Sequence, residues 1–261
     1  MKKLLLTVII LAAAFVFAAC AGKTALIISA AERPEVTKTA DPTQSIMPKE
    51  NTGSTEPAET PTPIPVDDPY LVLVNFEHPI YEEPPVVLVC NYLTAGNVYC
   101  DPRRHANETA VKALNEMLLA AQEGGDFHFI IASAFRYIRE QQMMWEGKIK
   151  EDPNYGSDPY NDPVKLMPTN CSEHTTGLAF DILCESCPHS DISYAKTPEG
   201  RWLAQNAHRF GFILRYPNDK QHITGVQYEP WHFRYVGVEA AEYIYEHSLC
   251  LEEYLESRQG R

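Results

Sequence analysis

Ser172-Glu173-His174-Thr175-Thr176-Gly177-Leu178-Ala179-Phe180-Asp181 sets an imidazole and a carboxylate seven residues apart, with a glycine between them. Further along, Glu229-Pro230-Trp231-His232-Phe233-Arg234-Tyr235 sets a carboxylate and an imidazole three apart. On an uninterrupted strand residues seven apart face opposite sides. Thr175-Thr176-Gly177 must therefore bend if His174 and Asp181 are to converge. With His232 they make three N/O ligands, and Glu229 remains as a carboxylate off the metal. A hydrolytic zinc centre requires this set: three protein ligands, one position open to water, and a free carboxylate to take the water's proton. Either pair alone could arise by chance among nine His and 35 Asp+Glu. Only the two together carry the inference.

With their neighbours, the two segments resemble the VanY-type D-alanyl-D-alanine carboxypeptidases, metallopeptidases that trim bacterial cell-wall stem peptides. That family carries Ser-x-His-x-x-Gly-x-Ala-x-Asp and, later, Glu-x-Trp-His. Gly211-Phe212-Ile213-Leu214-Arg215-Tyr216-Pro217, Thr224-Gly225 and the run from Trp231 to Gly237 read like its second half, and Leu71-Val72-Leu73-Val74-Asn75 like its entry strand. Ser133-Ala134-Phe135-Arg136, with Gln141 beyond, is similar to the family's Ser-Gly-Tyr-Arg-Ser…Gln segment. Ala134 and Phe135 replace Gly and Tyr, and Tyr137 stands where a second Ser is usual.

The resemblance covers roughly residues 70 to 247. It implies zinc on His174, Asp181 and His232, and Glu229 as the general base that later hands its proton to the leaving amine. It places Arg136 toward the oxyanion or the peptide carboxylate, and Ser172, Gln141 and Ser133 in substrate hydrogen bonding. The implied fold is α+β, a small antiparallel sheet with flanking helices, shared with Hedgehog signalling domains. The implied reaction is removal of the terminal D-alanine from peptidoglycan stem peptides, in wall remodelling or glycopeptide resistance. An L,D-carboxypeptidase, a D-Ala-D-Ala dipeptidase and a non-catalytic wall-binding module are the rival readings; an intact Glu229 argues against the last. No His-Glu-x-x-His occurs, so the thermolysin-like arrangement is excluded, and no Gly-x-Ser-x-Gly marks a serine nucleophile.

The start of the chain addresses compartment. Lys2-Lys3, an apolar run from Leu4 to Ala19 and Cys20 read as a signal peptide over residues 1–20. The run is short for a bilayer span, which needs about 20 residues. Ala18-Ala19-Cys20 looks like a lipoprotein processing site, with Phe17 where Leu is usual, and plain secretion is the alternative. Acyl chains on Cys20 would hold the enzyme on the outer face of the cytoplasmic membrane. Residues 21–69 contain no Phe, Trp or Tyr and eight of the 20 Pro. Such a stretch cannot offset its ordering entropy by burial and is expected to be a disordered tether. Residues 70–261 are then the zinc carboxypeptidase domain, expected to be a monomer.

Residues 67–261 hold 16 Lys+Arg against 29 Asp+Glu, which accounts for the net charge of −13. No basic stripe exists for nucleic acid or anionic lipid. Six cysteines remain once Cys20 is assigned to lipid, an even count that points to disulfides in an exported domain. Cys90 and Cys100 are the easiest pair, while Cys171, Cys184, Cys187 and Cys250 leave three connectivities open. Cys184-x-x-Cys187 with His189 is a rival structural zinc site.

Local patterns place the elements. Asn107 caps a helix with a Val111, Leu114, Leu118, Ala121 stripe that stops at Gly124-Gly125. Phe127 to Ser133 reads as a buried strand, and Ile138 to Lys150 as a helix burying Met143, Met144 or Trp145. Residues 151–170 form a loop over the site. Thr197-Pro198-Glu199 starts a helix that runs to Phe210 and ends at Gly211. Phe212 to Tyr216, His222 to Tyr228 and Trp231 to Tyr235 are expected strands. A last helix from Val238 carries Ala241, Ile244 and Tyr245 on one face.

Overall fold

Residues 68–259 are described in the computed structural model. The signal segment, Cys20 and nearly all of the proline-rich stretch lie outside them. In chain order the elements are β1 (Val87–Leu88), β2 (Val98–Cys100), β3 (His105–Ala106), α1 (Glu108–Gly124), β4 (Phe129–Ser133), α2 (Ile138–Glu151) and β5 (Ala179–Cys184). There follow α3 (Pro198–Asn206), β6 (Phe212–Leu214), α4 (Gln221–Thr224), β7 (His232–Tyr235), α5 (Val238–Glu246) and α6 (Leu251–Gln259). Five strands make the main sheet in the order β2-β4-β5-β7-β6, while β1 and β3 pair apart from it. Every neighbouring pair in the main sheet is antiparallel except β2 with β4. The architecture is α+β, as expected, with one parallel edge pairing.

Local chemistry explains the helix ends. The Asn107 side chain accepts hydrogen bonds from the Thr109 and Ala110 amides at the start of α1. Val111, Leu114, Leu118 and Ala121 are fully buried on its inner face, against Phe129 and Ile131 of β4 in one core cluster. Thr197 caps α3 by accepting from the Gly200 amide. The chain then tightens into a 3-10 turn, Ala207–Phe210, closed by Gly211 at φ 82°.

Four expectations need correcting. Met143 and Met144 are 64% and 46% exposed, and Gln141 is the buried residue of α2. Trp145 instead packs on Tyr155, with ring centroids 5.7 Å apart. His222 to Tyr228 is no strand: Gln221–Thr224 forms the helical turn α4, which Gly225 ends at φ 70°. Leu71 to Asn75 adopts no strand either. Its Val72 carbonyl, with that of Tyr70, serves a side chain, because Arg234 Nη2 donates to Tyr70 O and Val72 O at 3.1 and 2.7 Å. Tyr245 of α5 is half exposed and stacks on His208, leaving Ala240, Ala241 and Ile244 as the buried face. A further helix, α6, buries Leu251 and Tyr254 against that face.

α6 also completes a charged network beneath the sheet. Arg215 and Arg234 are both wholly buried. Arg215 Nε and Arg234 Nη1 each donate to Glu173 Oε1, at 2.7 and 2.8 Å. Arg215 then engages Glu252 of α6 through two parallel bonds, at 2.8 and 2.7 Å. Two guanidiniums facing two carboxylates balance charge where water cannot. Burial alone would raise the Glu252 pKa, but the Arg215 charge and hydrogen bonds hold it below the usual carboxylate range.

Glu252→Gln leaves Arg215 half-compensated in the interior, where removing one partner of a buried pair costs about 3 kcal/mol. A depressed folded pKa contributes stability above the unfolded value of about 4.3, and that stability is lost as pH falls through the folded value. Denaturant midpoints measured from pH 7 down to pH 3 should therefore converge for wild type and Glu252→Gln. A gap independent of pH would contradict the charge-pair account.

Candidate metal centre

Strand register assembles the site. Across β4 and β5, Ser133 stands opposite Asp181; across β5 and β7, Asp181 stands opposite His232. Directly opposed residues share a sheet face, so three distant positions fall in one row. His174 reaches the row from a 3-10 turn, Glu173–Thr176, that bends the chain before β5. Gly177 ends that turn at φ 70°, where an added Cβ would meet the Asn107 amide at 3.0 Å. The bend required by the seven-residue spacing is present.

The two imidazoles and the Asp181 carboxylate offer ligand atoms that all lie within 4.8 Å of one another. His174 Nδ1 donates to Ala134 O at 2.7 Å, which leaves Nε2 with its lone pair 3.3 Å from Asp181 Oδ2. His232 Nδ1 lies 3.1 Å from Asp181 Oδ1. Asp181 Oδ1 is buried, yet it has no hydrogen-bond partner. A close pair that is not hydrogen-bonded is what two lone pairs aimed at a shared cation produce. The donor set, nitrogen, nitrogen and carboxylate oxygen, suits zinc. Among the described residues this is the one such group, and Cys184, Cys187 and His189 form none.

Behind the ligands lies a carboxylate that sequence spacing did not single out. Glu173 Oε2 is 3.8 Å from His232 Nε2, and both atoms are buried without another partner. Glu173 therefore faces the ring nitrogen turned away from the cluster, the outer-shell position that fixes a ligand's tautomer and orientation. Burial opposes its charge, but Arg215 and Arg234 hold it well below the usual carboxylate range.

Glu229 lies 3.5 Å from His232 Nδ1 and outside the ligand group. Burial pushes its carboxyl up to about 8 despite the opposing charge of His232. For His232 burial acts downward, and the nearby carboxylates of Asp181, Glu173 and Glu229 raise it to about 9. Burial likewise lowers His174, outweighing Asp181 and favouring the neutral imidazole a metal needs. Asp181 is held well below the carboxylate range by His174 and His232, against its own burial.

Arg136 completes the polar wall. Its Nη1 donates to Gln141 Oε1 at 2.7 Å and its Nη2 to Ser133 Oγ at 3.2 Å. Gln141 is fully buried and its amide donates to Met167 O. Gln141 therefore contacts the arginine and the Met167 carbonyl from within the core. Ser133 contacts the same arginine. Ser172 lines the cavity, a cleft of about 520 Å³ that also exposes Arg136, Tyr155, Lys165, Tyr216 and Trp231. A Ser-x-x-Lys spacing, another signature of a serine nucleophile, occurs at Ser193–Lys196. It sits in the 3-10 turn Ile192–Lys196, and neither residue lines the cleft.

A buried pair of imidazoles and a carboxylate, beside a second carboxylate off the ligand set, defines a metal-dependent hydrolase site on an α+β scaffold. The VanY family, described as D-alanyl-D-alanine carboxypeptidase, matches residues 103–238, just over half of the chain. A D-alanyl-D-alanine carboxypeptidase of Enterococcus faecium is 33% identical over 215 residues, which cover 79% of this chain and 65% of that protein. The LdcB LD-carboxypeptidase structure superposes with a TM-score of 0.61 at 31% identity, covering 70% of this chain and 84% of that one. A mutant of the vancomycin-resistance D,D-pentapeptidase VanY, solved with Zn(II), gives 0.56 at 35% identity, covering 72% and 99%. The chain belongs to the VanY D-alanyl-D-alanine carboxypeptidase family.

Proposed function

We propose that the chain is a zinc-dependent D,D-carboxypeptidase that removes the C-terminal D-alanine from peptidoglycan stem peptides. The observation that carries this is the placement of Glu229: buried, 3.5 Å from a ligand imidazole, and not itself in the ligand group. His174, Asp181 and His232 would hold the zinc, which supplies Lewis-acid polarisation when bound. Glu229 takes a proton from the attacking water as its oxygen bonds to the scissile carbonyl carbon. It returns that proton to the D-alanine nitrogen as the C–N bond breaks. Arg136, held by Gln141 and Ser133, offers a fixed cation to negative charge on a peptide in the cleft. Ser172, which lines the same cleft, would hydrogen-bond the peptide.

The likeness to an LD-carboxypeptidase structure supports a second reading, in which the enzyme trims tetrapeptides. Incubation with tri-, tetra- and pentapeptide stems and with free D-Ala-D-Ala, read by mass spectrometry, separates the two. The D,D reading predicts pentapeptide converted to tetrapeptide plus one D-alanine. Turnover confined to the tetrapeptide would overturn it.

The same reading keeps Cys20 as a lipid attachment site and Cys90 with Cys100 as a disulfide. The Val89 amide bonds to Arg104 O at 2.9 Å, drawing the two cysteines' segments together. Both cysteines are free thiols in the structure, so the proposed bond forms only on oxidation. Membrane-extracted protein should carry acyl mass on its N-terminal peptide and leave Cys90 and Cys100 unreactive to an alkylator. An unlipidated peptide contradicts the first expectation, and alkylation of both thiols the second.

A further inference from the structure

Two lysines stand at the mouth of a cleft whose floor is acidic. Lys165 and Lys148 line the same cavity as Asp181, Glu173 and Glu229, in a chain with a net charge of −13. Lys165 is held by built contacts. Its Nζ donates to Ser190 O at 2.6 Å and lies 4.8 Å from the centroid of the Trp231 ring. A cation over an indole face at that distance is in attractive range. Tyr155 fixes the backbone beneath it, because its hydroxyl accepts from both the Lys165 and Leu166 amides at 2.8 Å. Lys148 Nζ lies 5.2 Å from the centroid of the same Tyr155 ring. Trp145 packs against that ring from α2.

The two lysines differ in what they leave free. Lys148 is 3.5 Å from Glu151. Lys165 makes no ion pair among the described residues, whose lysine pairs are those of Lys112, Lys148 and Lys220. One of its three N–H donors goes to a neutral carbonyl, and its charge reaches toward Glu229 and Asp191 without contacting either.

Substrate direction gives this cation a task. A carboxypeptidase has one residue beyond the scissile bond, and the proposed function sets it beside Glu229 and Arg136. The upstream residues then have the remaining cleft wall, which includes Trp231, Tyr155 and the exposed Lys165. We propose that Lys165, with Lys148 behind it, forms a subsite for a free carboxylate on the peptide upstream of the scissile bond. The subsite thus favours stems carrying an acidic group over those in which the group is amidated. This rests on the D,D-carboxypeptidase reading and adds a substrate preference to it.

The test uses D-Ala-D-Ala-ended peptides in pairs, identical except that one of the three residues upstream bears a side-chain carboxylate or its carboxamide. For wild type, kcat/KM should favour the acid at one of these positions, mainly through KM. In Lys165→Gln that ratio should collapse toward unity, a loss of about five-fold as expected for one exposed charge pair. Lys165→Arg should keep the preference, and added salt should weaken it in wild type and Lys165→Arg but not in Lys165→Gln. If Lys165→Gln slows acid and amide peptides equally, or leaves every ratio unchanged, the subsite is refuted. Wild-type enzyme that turns over none of the peptides would instead reject the D,D reading on which it rests.

Discussion

The site depends on one constraint, the alignment of Asp181 with His232 across β5 and β7 and with Ser133 across β4. A one-residue slip would carry each of these side chains to the opposite face of the sheet, scattering the ligands and the support of Arg136 together. The core secures that register. Phe180 and Phe233 sit opposite each other beside the ligand pair and are fully buried. Phe212 of β6 packs edge-on to Phe180 at 6.0 Å. Apolar burial on one face thereby determines where metal chemistry occurs on the other.

The second requirement is electrostatic. Three carboxylates and two imidazoles are gathered where water is scarce, and such a cluster would disperse without compensating charge. Arg215 and Arg234 supply it from below through Glu173, and Arg136 from the side. Glu173 joins both halves, since one oxygen binds the arginines and the other faces His232. The terminal helix thus belongs to the site's support, because Glu252 clamps Arg215 from α6.

The cluster of His174, Asp181 and His232 with Glu229 beside it was readable in the sequence because hydrolytic chemistry requires those residue types together, and both segments carry them within a few positions. α1 and α3 were readable for a similarly local reason: Asn107 and Thr197 are caps, and the apolar stripes behind them are regular. What stayed hidden depends on distant partners. Glu173 gains its meaning from Arg215 and Arg234, and α6 from the apolar face of α5 that it covers. The β-branched and aromatic residues between His222 and Tyr228 suggested a strand, but Gly225 in the left-handed region closes a helical turn there instead. Met143 and Met144 followed the rule that large apolar residues are core, and they lie exposed beside the cleft region. An isolated Arg215 after Ile213-Leu214 was the available clue to a buried charge network.

The central claim is a division of labour: His174, Asp181 and His232 hold the metal, and Glu229 moves the proton. Glu229→Gln keeps size and hydrogen bonding while removing the acceptor charge. Metal analysis of this variant beside its turnover of a D-Ala-terminated pentapeptide is the direct measurement. The account predicts about one zinc per chain, as in wild type, with kcat lower by about 10²- to 10⁴-fold. A variant that retains full activity, or that loses its metal, would contradict it.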